Sequence, residues 1–146
     1  MVDEPVGEPG RVLGLDLGDA RIGVAISDDR RRIAVPLGTL RTGAPADVKA
    51  IADLVHGHDV TLVVIGHPLH LWGEAGERAH HAERFAEALD AFLDVPVLLQ
   101  DERLSSIEAD RALREAGASG RERRRTVDRS AATVILQAWL DAAGAG

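Results

Sequence analysis

The chain contains no cysteine, few aromatic residues and no long apolar run. Without cysteine, neither a disulfide framework nor a thiolate metal site can form, and this absence fits a reducing cytoplasm. No stretch approaches the roughly 18 consecutive apolar residues that span a bilayer. The first ten residues are acidic and rich in Pro and Gly, unlike a signal or transit peptide. We therefore expect a cytoplasmic protein that does not associate with a membrane.

The 146 residues are enough for one domain and too few for two well-cored ones. We expect this domain to span 11–142, with flexible tails at 1–10 and 143–146. The net charge of −7 at first argues against a nucleic-acid partner, because contacts to phosphate need Lys or Arg. Between residues 111 and 129, however, arginines outnumber acids and give a local charge of about +4. This basic segment is compatible with a nucleic-acid site without requiring one.

Hydrophobic patterning predicts three strands, followed by alternating helices and strands. The predicted strands are 11–18, 21–28, 32–40, 61–66 and 95–100, and the predicted helices are 46–58, 74–93, 105–116 and 127–142. Pro36 places the third strand at a sheet edge or a bulge. Ser105 and Glu108 have the spacing of a capping box, and Thr126 can cap the last helix. The order predicts an α/β domain with a mixed five-stranded sheet, helices on both faces and a first strand that can lie centrally.

Asp16 is the most informative single residue. It lies in an otherwise apolar strand, so its carboxylate is expected near the sheet interior. A buried carboxylate is costly unless it is paired or coordinates a metal ion. The alternative is a turn former, because the Asp-Leu-Gly-Asp run ends a strand.

Glu102 and Asp128 are the other acidic candidates. Glu102 follows a predicted strand beside Asp101, and adjacent residues point to opposite faces, so only one of the two can reach a given site. Both could equally be solvated. Asp128 is expected in the first turn of the last helix, where the macrodipole favours an anion regardless of function. Oxygen ligands select Mg²⁺ or Mn²⁺, and two such ions about 4 Å apart are the standard arrangement for attack of water on a phosphodiester.

The loop after the fourth predicted strand is rich in Gly and contains His67 and His70. It could approach a phosphate backbone closely or could be a plain connector. Either histidine could donate a proton to a leaving oxygen or could simply be solvated. No zinc-ligand spacing is matched.

Four stretches together resemble the Holliday-junction-resolvase-like family, which is also described as the nuclease that matures the precursor of small-subunit ribosomal RNA. They are GLDLGDARIGVAISD, VVIGHPLHLWGEAG, LLQDERLSSIEAD and VDRSAATVILQAWL. The resemblance covers residues 11–142 and implies a ribonuclease-H-like fold. It implies that Asp16, Glu102 and Asp128 form a catalytic site of the two-metal type for Mg²⁺ or Mn²⁺. The implied activity is phosphodiester hydrolysis in maturation of the 5′ end of pre-16S rRNA during ribosome biogenesis.

The sequence departs from the family pattern at positions that would contact nucleic acid. Ala20 stands where a Lys is frequent and leaves Arg21 to contact phosphate, while His70 replaces an Asn. Ser105 keeps the hydroxyl of a Thr, and Arg129 keeps the charge of a Lys. None of these changes affects the three acids. The expected nucleic-acid-binding residues are Arg21, Arg103, Ser105, Arg123, Arg124, Arg125 and Arg129.

Three other interpretations stay open at this point. A resolvase acting on branched DNA would need a symmetric dimer, whereas the other functions allow a monomer or a homodimer. A non-catalytic module could bind ribosomal RNA or ribosomal particles through the basic segment. The first block also resembles the phosphate loop of the actin and sugar-kinase superfamily, but that machinery closes two domains around a nucleotide and this chain has room for one.

Overall fold

Five strands form one mixed sheet in the computed structural model, which describes residues 10–68, 76–101 and 120–145, with 120–130 and 145 described by their backbone alone. The strands are β1 (Arg11–Leu17), β2 (Arg21–Ser27), β3 (Ala34–Arg41), β4 (Val60–His67) and β5 (Val97–Asp101). Their order is β3-β2-β1-β4-β5, with the first three antiparallel and β1, β4 and β5 parallel. The predicted mixed sheet with a central first strand is confirmed.

The described part of the chain contains the helices α1 (Ala46–Gly57), α2 (Glu77–Phe92) and α3 (Gly120–Ala145). The predicted start of the last helix is wrong, because α3 begins seven residues earlier, at Gly120 instead of 127. Arg and Glu are good helix formers, so the helix continues through the basic segment. Thr126 therefore lies inside the helix and not at its cap, and Asp128 lies well beyond the first turn. No helix within the described ranges is long and apolar enough to cross a membrane.

Several sequence predictions fall outside the described residues. These are most of the amino-terminal tail, the helix at 105–116 with its capping box, and the residues Glu102, Arg103, Ser105 and His70.

The two faces of the sheet carry separate apolar layers. Alternation along β1 sends Leu13 and Leu15 to one face, where α1 and α2 cover them, and Val12 to the other face, which α3 covers. On the α3 face, Ile135 and Leu136 of the helix are 3% and 0% exposed. The predicted arrangement of helices on both faces is therefore confirmed, and a residue's position along a strand determines which helix it meets.

Gly14 allows α3 to lie unusually close to β1. A Cβ atom added there would lie 2.7 Å from Cβ of Leu136 and 3.3 Å from the carbonyl oxygen of Ala132. Real Cβ atoms essentially never come as near as the first of these contacts. Glycine at this position thus sets the distance between helix and sheet, two residues before Asp16.

The edge strand β3 is irregular and is tied to α3. Its register against β2 shifts between Val24 and Ala25, which pair with Gly38 and Pro36, so one residue of β3 is extra at this point. The position of Pro36 in an edge strand with a bulge is thereby confirmed. At the start of the strand, Gln137 of α3 accepts a hydrogen bond from the Ala34 amide at 2.9 Å. The same side chain donates to the carbonyl of Arg32 at 2.9 Å.

Candidate active site at the carboxyl edge of the sheet

Asp16 is a half-buried residue near the carboxyl end of the central strand. Strand alternation with Val12 and Gly14 places it on the face that α3 covers. It pairs across the sheet with Gly23 of β2. A Cβ atom added at Gly23 would lie 3.7 Å from Cβ of Asp16 and 3.7 Å from Cβ of Ala132. The Asp16 side chain therefore leaves the sheet at the level of Ala132 in α3.

The neighbouring strands leave space around Asp16. Gly23 lies opposite it on β2, and on the other side Leu15 pairs with Ile65 of β4. The next residue of β4 is Gly66, so continuing this register by one step places a second glycine beside Asp16. Since neither glycine carries a side chain, the sheet itself does not fill the volume next to this carboxylate.

Asp128 lies in α3, one turn before Ala132. The helix runs antiparallel to β1, because Leu136 lies over Gly14 whereas Ala132 approaches Gly23, opposite Asp16. Four residues of helix correspond to about 6 Å, so position 128 lies about that far from Ala132 in the direction of the carboxyl edge. The backbone thus brings position 128 towards Asp16, and the structure describes only the backbone at position 128.

At the end of β5, Asp101 lies on the face of the sheet opposite the α3 face. Leu98 packs in the layer under α3, whereas Val97 packs in the layer under α1 and α2. Alternation from Val97 assigns Asp101 to the α1 and α2 face, where it pairs in register with His67. The following residue, Glu102, is outside the described part, and joint coordination by the three acids stays a prediction.

Arg21 is an exposed residue at the start of β2. Alternation with Gly23 and Ala25 places it on the α3 face, the face of Asp16. Its carbonyl oxygen accepts a hydrogen bond from the Gly18 amide at 2.8 Å, which closes the turn between β1 and β2. Arg21 therefore lies at the same edge and on the same face of the sheet as Asp16. For Arg123, Arg124, Arg125 and Arg129 the structure describes only the helical backbone of α3.

His67 has a partner that the sequence did not reveal. Its Nε2 lies 2.7 Å from Oε2 of Glu83 in α2, and the other carboxylate oxygen lies 3.2 Å from Nδ1 of His80. Hydrogen bonds from His67, which has the larger effect, and from His80 hold the pKa of Glu83 below its ordinary value of 4.5. His67 is thus paired with a carboxylate on the α2 side of the sheet. Within the described residues, no group of three or more His, Cys, Asp or Glu side chains could hold a metal ion.

A cleft on the α2 side adjoins the same edge. It has a volume of about 350 Å³ and is formed by the turn after β1, by Thr42 and by the first two turns of α2. Arg78, His81 and Arg84 of α2 line it, and Nη2 of Arg78 donates to the carbonyl oxygen of Leu17 at 3.3 Å. Sequence reasoning missed this cleft. The available signal was the three-residue spacing of basic side chains in a helix that starts near a strand end.

The chain matches a family model described as RuvX, Holliday junction resolvase, over residues 10–142. A relative from Anaeromyxobacter dehalogenans (strain 2CP-C) is 48% identical over 132 residues, which cover 90% of this chain and 96% of the relative. A relative from Myxococcus xanthus (strain DK1622) is 47% identical over 133 residues, covering 90% of this chain and 88% of the relative. Both carry the provisional name pre-16S rRNA nuclease.

Two solved structures share the fold. RuvC from T. thermophilus in complex with a Holliday junction substrate superposes with a TM-score of 0.59 at 18% identity, covering 93% of this chain and 94% of that one. A second Thermus thermophilus RuvC structure gives a TM-score of 0.53 at 15% identity, covering 92% and 96%. At these identities the likeness shows the fold alone, and it confirms the predicted ribonuclease-H-like architecture.

Proposed function

The chain belongs to the RuvX Holliday junction resolvase family, and from this premise we propose that it is a metal-dependent nuclease that hydrolyses phosphodiester bonds in the precursor of 16S rRNA. The single observation that carries the proposal is Asp16, a half-buried carboxylate on the α3 face of the central strand. Position 128 of α3 lies one turn from the helix residue that reaches this level. The relatives' names supply the choice of substrate.

The chemistry of the candidate ligands fits a hard divalent cation. Asp16, Glu102 and Asp128 offer only carboxylate oxygens, the donors that Mg²⁺ and Mn²⁺ prefer. Gly23, which pairs with Asp16 on β2, carries no side chain that would occupy the volume beside this carboxylate. When bound, two such ions supply a water of lowered pKa and stabilise charge on the leaving oxygen.

The protein's own groups then have distinct tasks. The three carboxylates would hold the cations in place, and the cations would offset the mutual repulsion of the carboxylates. Arg21 starts from the same face as Asp16 and offers forked donors to a phosphate oxygen. We assign Arg103, Ser105 and the arginines of α3 to the flanking backbone of the substrate. Ribosomal particles are the setting in which such a precursor would be met.

A cleavage assay tests the proposal. The wild-type protein and Asp16→Asn are incubated with Mg²⁺ or Mn²⁺ and with three substrates, which are an RNA carrying the precursor ends of 16S rRNA, a four-way DNA junction and plain single strands. We expect wild type to cleave the precursor RNA only with the metal. Asp16→Asn should lose about 100-fold or more, because even groups that merely support metal ligands contribute 10–100-fold.

Asp90→Asn is the matched control, since Asp90 is an exposed carboxylate of α2 beyond the residues that line the cleft. It should keep wild-type activity. Equal activity in wild type and Asp16→Asn, or activity without metal, would refute the nuclease assignment. Cleavage of the junction but not of the RNA would replace the substrate with branched DNA and would require a symmetric dimer. RNA binding without any cleavage would indicate a binding module instead.

A further inference from the structure

The cleft on the α2 side carries two arginines with donor groups to spare. Within the described residues, no ion pair joins Arg78 or Arg84 to a carboxylate. Arg78 uses one of its nitrogens on the carbonyl oxygen of Leu17, which leaves the rest of its fork available. A guanidinium has five N–H donors in a geometry that matches phosphate oxygens. Both side chains are exposed, so an incoming anion meets little desolvation cost at this position.

The cleft begins one residue away from the proposed catalytic carboxylate. Leu17, whose carbonyl oxygen Arg78 contacts, directly follows Asp16 in β1. Asp16 lies on the α3 face, whereas Arg78 and Arg84 belong to α2 on the other face. A nucleic-acid strand that crosses the carboxyl edge of the sheet would pass from one face to the other. It would leave the α3 side beside Arg21 and enter the cleft beside Arg78.

The acidic residues of the cleft restrict the kind of ligand that can bind. Asp19 and Glu77 also line it and offset the charges of the two arginines. A free phosphate ion therefore gains little here. A polynucleotide already held at the neighbouring site presents its next phosphates at high effective concentration, so weak individual contacts are enough. The chemistry favours a continuous phosphodiester backbone over a small anion.

We propose that Arg78 and Arg84 bind backbone phosphates of the substrate strand on the α2 side of the cleavage position. This inference rests on the proposed nuclease function and adds a second binding surface to it, opposite the arginines of α3. Contacts to phosphates position a strand without reading its bases. The two arginines accordingly strengthen binding for all sequences equally.

The test measures RNA binding by the double variant Arg78→Ala/Arg84→Ala. The double variant is made in the Asp16→Asn background, so that the RNA is not cleaved, and is compared with Asp16→Asn alone. The anisotropy of a fluorescently labelled single-stranded RNA is followed over a series of salt concentrations. We expect about a tenfold or larger loss of affinity. The slope of log K against log salt should become shallower by about 1.4, because each phosphate contact on a single strand contributes about 0.7.

Two control proteins separate charge from folding. Arg30 is an exposed arginine in the turn between β2 and β3, at the opposite end of the sheet, and Arg30→Ala should leave affinity and slope unchanged. The variant Arg78→Lys/Arg84→Lys keeps both charges and should restore most of the salt slope. If the alanine variant melted early, the lysine variant would still report whether charge at these positions sets the slope.

The outcomes distinguish this inference from the function on which it rests. Unchanged affinity and slope in the double alanine variant, with RNA still bound by the Asp16→Asn protein, would overturn the role of Arg78 and Arg84 and leave the nuclease proposal intact. If the lysine variant lost as much slope as the alanine variant, a charge-based contact would be refuted. Absence of both RNA binding and metal-dependent cleavage in every form would overturn the nuclease proposal and this inference together.

Discussion

At the scale of single residues, Glu83 links two histidines and thereby joins the end of β4 to α2. His67 and His80 each hydrogen-bond one of its carboxylate oxygens, at 2.7 and 3.2 Å, and these bonds lower its pKa. A carboxylate whose pKa is lower in the folded state stabilises the fold at pH values above its unfolded pKa, here near 4.5. That contribution disappears as the pH falls through the lowered value.

Replacing this carboxylate should therefore change stability in a pH-dependent way. We expect Glu83→Gln to melt at a lower temperature than wild type at pH 6–7, with the difference shrinking as the pH falls below about 4.5. Thermal melting between pH 7 and pH 3 measures it. Glu87→Gln is the control, because Glu87 is an exposed carboxylate of the same helix for which no histidine contact is found among the described residues. A melting-temperature difference that stays constant down to pH 3 would contradict a stabilising role of the ionised Glu83 carboxylate.

At the scale of secondary-structure elements, the contact between α3 and β1 determines the geometry of the candidate site. Asp16 belongs to the strand and Asp128 to the helix, so the distance between these elements sets the distance between the two acids. Gly14 permits the close approach, because a Cβ atom there would collide with Leu136 at 2.7 Å. A single methyl group at this position should consequently affect both stability and activity.

Gly14→Ala is expected to reduce stability by about 1–3 kcal/mol, the usual cost of overpacking a filled core. It should also lower nuclease activity, because α3 must move away from β1 to admit the methyl group. Denaturant unfolding and the cleavage assay measure the two effects. Gly57→Ala is the matched control, since an added Cβ at this last residue of α1 meets nothing within 4 Å. Gly14→Ala with wild-type stability and activity would show that the helix position is not constrained there.

The sequence predicted the positions of the strands and helices better than the side-chain contacts between them. Alternation of apolar residues located all five strands to within a few residues, and the position of Pro36 correctly indicated an irregular edge strand. The predicted start of α3 was wrong, because the helix was placed after the basic segment although Arg and Glu favour helix. The pairing of His67 with Glu83, sixteen residues away, depends on how α2 packs on the sheet. Periodicity along the chain carries no information about that packing.

In the candidate site too, features local to one strand were predicted, whereas features that depend on packing were not. The sequence placed Asp16 in a strand near the sheet interior, but that α3 covers this face of the strand is known only from the packing layers of the structure. The cleft with Arg78 and Arg84 could not, because it arises where a turn, a loop residue and a helix meet. The roles of Glu102 and Asp128 rest on the family resemblance.

At the scale of the whole molecule, the three candidate ligands come from segments far apart in the chain. A cation that binds all of them binds only the folded state, so binding adds to the free energy of unfolding. If the three carboxylates lie together as proposed, they would repel one another without the cation and oppose folding. Stability should therefore depend on divalent ions.

We expect Mg²⁺ or Mn²⁺ at about 100 times its dissociation constant to add about 2.7 kcal/mol of stability. For a chain of this size this corresponds to roughly 5–10 °C in the melting temperature. Asp16→Asn should abolish the shift and should melt higher than wild type in the absence of metal, because one negative charge is gone. Asp90→Asn should retain the shift. An equal shift in wild type and Asp16→Asn would place the cation elsewhere.

The length of α3 has a mechanical consequence. From Leu136, where the helix rests on Gly14, back to Gly120 there are sixteen residues, which at 1.5 Å each extend about 24 Å. Ala132 and Leu136 hold the helix against β1 and β2, and the arginine-rich part extends beyond Ala132. A small tilt of the helix about Leu136 would move its outer end about four times as far as it moves Ala132. Strain applied there by a bound polymer would in turn be felt at Asp16.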